Sequence, residues 1–217
     1  MKGVYILGLI IIGLNLQYLR PRQAAPRFEA LAVKGDSTEK VSLEQYKGGY
    51  LVMIFYPFDF TYVCPTELIA FSDRMSDFAG LETEVLGVST DSHFTHLSWI
   101  KTERKNGGVG LLNFPLIADF TKKISKAYGF LVEDDADDLC GAALRGLVII
   151  DPLGKVRHVQ VNDAQVGRSV DEVLRLIQAF KHTDINGVVC PANWRPGKRT
   201  IVPDQKEKIN YFSNEYK

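Results

Sequence analysis

Cysteine has the richest side-chain chemistry in this sequence, and there are three: Cys64, Cys140 and Cys190. Cys64 lies in FYPFDFTYVCPTEL, residues 55–68, where an apolar run ends in an aromatic turn and the thiol directly precedes Pro65. Proline is favoured at the first helical position because its missing N–H would be unpaired there anyway. Pro65 therefore predicts a helix start at or just before Cys64. A thiol there faces unpaired backbone N–H groups and the positive end of the helix dipole, which favour the thiolate and make it a nucleophile. Glu67 falls in the predicted first turn, where the dipole prefers an acid. The Thr61 hydroxyl, three residues before Cys64, could donate to a thiolate and accept a substrate proton. Pro57 could floor a pocket and keep water out. The alternative is that Cys64 is a buried apolar filler, the usual fate of a free cysteine. Position alone leaves both readings open.

Other constellations are weaker. No C-x-x-C occurs, which argues against a zinc ribbon or a thioredoxin-type dithiol, and three scattered cysteines do not form a disulfide framework. His93 and His96 stand at helical spacing but lack further metal ligands, so both read as helix-surface residues. The acids of EDDADDLCGAA, residues 133–143, read as a solvated loop without the ligand spacing of a calcium site. Within it, Cys140 is a spare exposed thiol or an off-pathway disulfide partner. Formal net charge is zero, so nothing points to nucleic acid as a partner.

The elements that must hold these residues alternate. LVMIFYPF (51–58) is a near-continuous apolar run, as expected of a strand buried on both faces. TELIAFSDRMSDFAG (66–80) has apolar residues three and four apart and reads as an amphipathic helix. A buried strand follows at 83–90, a helix from Asp91 or Ser92, and a helix over 118–130. Strands at 143–150 and 155–161 flank DPLG, a hairpin turn. The last helix, 169–182, opens with Ser169 and Glu172 as a capping box. This order predicts an α/β fold with a mixed sheet. Residues 183–217, broken by Pro191, Pro196 and Pro203, read as a C-terminal arm.

Lys2 precedes an apolar run of about a dozen residues, too short for a spanning helix, which needs roughly 20. Residues 1–24 read as a leader. A secretory signal peptide, leading to the endoplasmic reticulum or the exterior, is favoured. A mitochondrial transit peptide is the alternative, supported by Arg20, Arg22 and Arg27 with no acid before Glu29. The mature protein is expected to have no membrane segment.

The string Y-P-x-D-F-T-x-V-C-P-T-E, Tyr56 to Glu67, resembles the active-site motif of the typical two-cysteine peroxiredoxins. The resemblance continues through STDSHFTHLSWI, NGGVG, LRGLVIID, VND, VGRSVDEVLRLIQAF and VCPANWRPG, in family order and at nearly family spacing. It implies a thioredoxin-like peroxidase domain over 25–182, a mixed central sheet flanked by helices, and an arm over 183–217. The implied activity is reduction of hydrogen peroxide and alkyl hydroperoxides, in antioxidant defence and peroxide signalling, with no flavin, haem or metal. Cys64 matches the peroxidatic cysteine, Thr61 and Pro57 the pocket positions, and Arg145 the active-site arginine. Glu67 is expected to hold an arginine in place. Cys190 matches the resolving cysteine, supplied in the family pattern by the partner of a head-to-tail homodimer that assembles into higher rings such as decamers. A thioredoxin-type dithiol would reduce the disulfide.

Gly107, Gly108, Val109 and Gly110 stand where the family usually has GGLG, and Tyr211-Phe212 matches its C-terminal YF motif. Together they imply sensitivity to over-oxidation, reduced by valine in place of leucine. Ala164-Gln165 replaces the common Leu-Pro, which puts the contacts of that loop in doubt. The alternative function is a ring-forming chaperone (holdase). A disulfide oxidoreductase is disfavoured by the missing C-x-x-C.

Overall fold

The computed structural model describes residues 19–216, so most of the expected leader lies outside the described residues. The last residues of that segment are tied to the fold. Arg22 N–H donates to the Val156 carbonyl, Val156 N–H to the Gln23 carbonyl, and Ala24 bridges Lys155.

The chain opens with an antiparallel hairpin, β1 (Glu29–Lys34) and β2 (Ser37–Ser42). Then come β3 (Tyr50–Phe55), α1 (Val63–Asp73), α2 (Met75–Gly80), β4 (Thr83–Ser89) and α3 (His93–Lys101). β5 (Leu116–Ala118), α4 (Lys123–Ala127), β6 (Arg145–Ile150), β7 (Val156–Asn162), α5 (Val170–Asn186) and α6 (Lys208–Glu215) complete it. The strands form one sheet in the order β2-β1-β5-β4-β3-β6-β7. β3, β4 and β5 are parallel through their crossovers, while β6, β7 and the first hairpin add antiparallel pairs. This is the expected mixed sheet flanked by helices.

All six residues of β3 are buried, so both faces of the sheet are covered. Val52, Ile54 and Tyr56 pack on one face with Leu68, Phe71, Phe78, Trp99 and Ile177, from α1, α2, α3 and α5. Leu51, Met53 and Phe55 turn the other way, onto Ile124, Tyr128, Phe130 and Ile150. The alternation follows from the two-residue period of a strand.

Several boundaries differ from the sequence reading. The strand expected over 51–58 ends at Phe55, leaving Pro57 in the loop beyond it. The helix read over 66–80, with its start placed at or just before Cys64, does begin just before it, at Val63, but is broken at Arg74, where φ −107° and ψ 14° leave helical geometry. The helix expected over 118–130 shrinks to α4. Lys122 takes a left-handed conformation before it, and the Asp119 carboxylate accepts the N–H groups of Ile124 and Ser125. α5 runs to Asn186 and stops at Gly187, whose φ of 64° suits glycine. Its cap is half the expected box: the Ser169 hydroxyl accepts from the Glu172 N–H. The arm carries a helix of its own, α6.

Candidate active site

β3 delivers the chain to the loop over 56–62, and α1 carries it away again. α1 begins at Val63, so Cys64 is its second residue and Pro65 its third, where the first had been expected. The shift is inexpensive because the first turn of any helix has unpaired N–H groups, and a proline there still forfeits no bond. Tyr62 offers no side-chain cap. Glu67 accordingly lies in the second turn, not the first, and its partners are arginines rather than the dipole.

Cys64 is 1% exposed and sits at the base of a cleft of about 410 Å³ walled by Pro57, Thr61, Leu139, Arg145 and Ala164. Arg145, the first residue of β6, places Nη1 3.5 Å from Cys64 Sγ and 2.7 Å from Glu67 Oε2. Its Nε and Nη2 donate to the Ala164 carbonyl at 2.9 and 2.7 Å. Ala164 thus holds the arginine through its backbone, which its side chain does not alter.

Sequence reasoning missed Arg168. Its guanidinium donates to both Glu67 oxygens at 2.7 and 2.9 Å, its backbone N–H donates to Oε1 at 2.7 Å, and Nη1 reaches the Phe55 and Gly146 carbonyls. The one available signal was a basic residue in V-G-R-S, directly before the capped helix, where no apolar face needed it. Burial pushes the Glu67 carboxyl up, but the hydrogen bonds and charge of Arg168, with the charge of Arg145, outweigh it and hold the pKa below its ordinary value. Two buried guanidinium ions against one carboxylate leave this cluster one negative charge short of neutrality.

The Thr61 hydroxyl donates to the Phe58 carbonyl at 2.9 Å, not to the thiol as the sequence reading had it. Its oxygen remains available as an acceptor. His96, expected on a helix surface, is fully buried, with Nδ1 2.7 Å from Asp59 Oδ2 and Nε2 3.2 Å from the Ile117 carbonyl. α3 turns that face onto the loop after β3, and hydrogen bonds to both ring nitrogens make the burial tolerable. Burial raises the Asp59 pKa against the opposing pull of His96.

Cys190 lies apart from the cleft, half-buried, with Sγ 3.9 Å from the Ala179 carbonyl of α5. Burial raises its pKa, against the charge of Arg175. Cys140 is exposed, and desolvation together with Asp135 raises its pKa, which suits an inert thiol.

Gly107 to Gly110 form a tight turn. Gly107 and Gly110 have φ of 82° and 63°, and a Cβ on Gly108 would stand 2.0 Å from the Thr102 carbonyl oxygen. Val109 is fully buried. Its carbonyl accepts from Arg104, which pairs bidentately with Asp73 at the end of α1. Tyr211 lies on α6 and shares a cavity with Trp194 and Lys198 beside the Cys190 segment, while Phe212 is 45% exposed. Among the described residues, no hydrogen bond or ion pair joins α6 to the glycine turn.

The geometry agrees with comparisons to known proteins. The model of the AhpC/TSA family matches residues 21–159, and that of the C-terminal domain of 1-Cys peroxiredoxin matches 179–214. The chain belongs to the peroxiredoxin family. It is 54% identical over 200 residues to the mitochondrial thioredoxin-dependent peroxide reductase of Drosophila melanogaster, covering 91% of this chain and 83% of that one. It is 56% identical over 189 residues to peroxiredoxin-2 of Bos taurus, covering 87% and 92%. Among solved structures it is similar to the reduced 2-Cys peroxiredoxin of Plasmodium vivax. The TM-score is 0.83 and the identity 44%, covering 88% of this chain and 97% of that one. The fold is thioredoxin-like, and the enzyme is a thiol peroxidase. The C-terminal match carries a one-cysteine name, yet this chain has Cys190 within the matched segment.

Proposed function

We propose that Cys64 is the peroxidatic nucleophile of a thioredoxin-dependent peroxidase and Cys190 its resolving thiol. The thiolate attacks one peroxide oxygen, the O–O bond breaks, and the second oxygen leaves as hydroxide or alkoxide, to be protonated to water or alcohol. Cys64 is then a sulfenic acid. The Cys190 thiol attacks its sulfur, forming a disulfide and releasing water, and a thioredoxin-type dithiol restores both thiols. Arg145 favours the thiolate and stabilises charge on the departing oxygen. Glu67 and Arg168 hold Arg145 in place, Thr61 accepts a hydrogen bond from the incoming peroxide, and Pro57 excludes water. The observation that carries this reading is the cationic cluster closed on Cys64 by Arg145 at 3.5 Å.

The test is direct. With thioredoxin as reductant, Cys64→Ser abolishes turnover, whereas Cys190→Ser reduces about one equivalent of peroxide and stalls. Full activity in Cys64→Ser would sink the mechanism.

The arm over 183–217 is read as the segment that presents Cys190 to a partner subunit in a homodimer. Gly107 to Gly110, with Tyr211 and Phe212, are read as the device that slows resolution. The peroxidase domain is read over 25–182, and the bonds of Arg22 and Gln23 to Val156 support a folded start a few residues earlier. The leader reading favours the secretory pathway. The Drosophila relative named as mitochondrial supports the alternative. Mass spectrometry of the mature N-terminus, with organelle fractionation, decides between them.

A further inference from the structure

Behind the catalytic loop lies a polar cluster that the chemistry at Cys64 leaves unused. The Asp59 carboxylate is fully buried, accepts from the Tyr56 hydroxyl at 2.9 Å, and stands 2.7 Å from His96. Its backbone N–H donates to Asp91 Oδ2 at 3.0 Å, and the same oxygen accepts from the Ser89 hydroxyl at 2.7 Å. Asp91 follows the end of β4, and His96 lies on α3, so two core elements grip one residue of the loop.

The gripped N–H belongs to the Phe58–Asp59 peptide unit. Its other end is the Phe58 carbonyl, which accepts the Thr61 hydroxyl at 2.9 Å. A peptide unit is planar, so fixing the direction of its N–H fixes the opposite direction of its C=O. That carbonyl in turn orients Thr61 Oγ1 at the wall of the Cys64 cleft. Asp91 is not part of the cleft lining.

We propose that Asp91, backed by Asp59 and His96, is a positioning residue for Thr61. It holds the Phe58–Asp59 peptide so that the Phe58 carbonyl points the Thr61 hydroxyl oxygen at the incoming peroxide. The proposal rests on the role given to Thr61 above.

A double-mutant cycle tests it, read as the second-order rate constant for oxidation of pre-reduced protein by hydrogen peroxide. Misplacing a reacting group by 1 Å can cost about 100-fold, so Asp91→Ala is expected to slow the reaction by ~10-fold or more. Both bonds to Asp91 end on a single oxygen, so Asp91→Asn, with its carbonyl in that place, recovers most of the rate. In a Thr61→Val background, Asp91→Ala costs less than about 2-fold further, because the group it positions is gone. Equal losses in both backgrounds, or no rescue by asparagine, in variants with unchanged circular dichroism, would overturn the proposal. A Thr61→Val protein reacting at full rate would instead overturn the role given to Thr61.

Discussion

Glu67 accepts four hydrogen bonds from two arginines in a space that excludes water, so its carboxylate is worth more than its own contacts. Remove it and two guanidinium ions remain buried without a counter-charge. Glu67→Ala is expected to cost about 3–5 kcal/mol in denaturant unfolding, the usual penalty for breaking a buried ion pair by one partner. It should also slow peroxide reduction, because Arg145 loses one of its two anchors. The pH dependence follows from the lowered pKa. A carboxylate whose folded pKa lies below its unfolded value stabilises the protein above the unfolded value. That contribution is lost as pH falls through the folded one. The acid limb of the stability curve should therefore flatten in Glu67→Gln, and an unchanged limb would assign it to other carboxylates. This residue shows what sequence could and could not deliver. The resemblance pointed to Cys64, Thr61, Glu67 and Arg145, which the fold brings together. Arg168 and the buried His96 escaped, because charged and polar types are expected outside until partners distant in the chain are known.

At the scale of the element, the proposed meeting of the two thiols turns on the first turn of α1. Cys64 is enclosed in that turn, so a disulfide with Cys190 requires it to unwind locally. Tyr62 supplies no side-chain cap, which weakens the turn, while the fixed φ of Pro65 stiffens it. Pro65→Ala is expected to lower stability by about 0.4–1 kcal/mol through the freed unfolded chain. It should also speed disulfide formation relative to over-oxidation. The readout is the ratio of Cys64–Cys190 disulfide to Cys64 sulfinic acid after graded peroxide pulses, by mass spectrometry. A ratio that stays fixed or falls would locate the slow step elsewhere. Elements with a strong local signal were legible in the sequence: β3 as an unbroken apolar run, α5 by its cap and apolar face, the β6–β7 hairpin by DPLG. β2 was not, because four of its six residues are exposed and polar. β5 is three residues long, and its strand character comes from pairing with β4 and β1.

At the scale of the whole molecule, the two cysteines of the proposed mechanism occupy different surroundings. Cys64 opens into a cleft lined by residues no later in the chain than Gln165, whereas Cys190 rests against Ala179 of α5. The segment after it is anchored locally: Trp194 Nε1 donates to the Lys198 carbonyl, and Arg175 donates to the Trp194 carbonyl. Pairing within one chain would need both the α1 turn and this anchored segment to leave their places and converge. The proposed homodimer would instead bring the Cys190 segment of a second copy to this cleft. The two routes are separable by mixing. Reduced Cys64→Ser and Cys190→Ser proteins, combined after subunit exchange and treated with one equivalent of peroxide, each lack one of the two thiols. A disulfide between them can form only across chains. The expected product is a covalent heterodimer on a non-reducing gel, with a single linked peptide pair joining Cys64 to Cys190. The wild-type protein should likewise migrate as a covalent dimer when oxidised. If it instead migrates as a monomer containing a Cys64–Cys190 linkage, resolution occurs within one chain and the arm must fold back over its own α1.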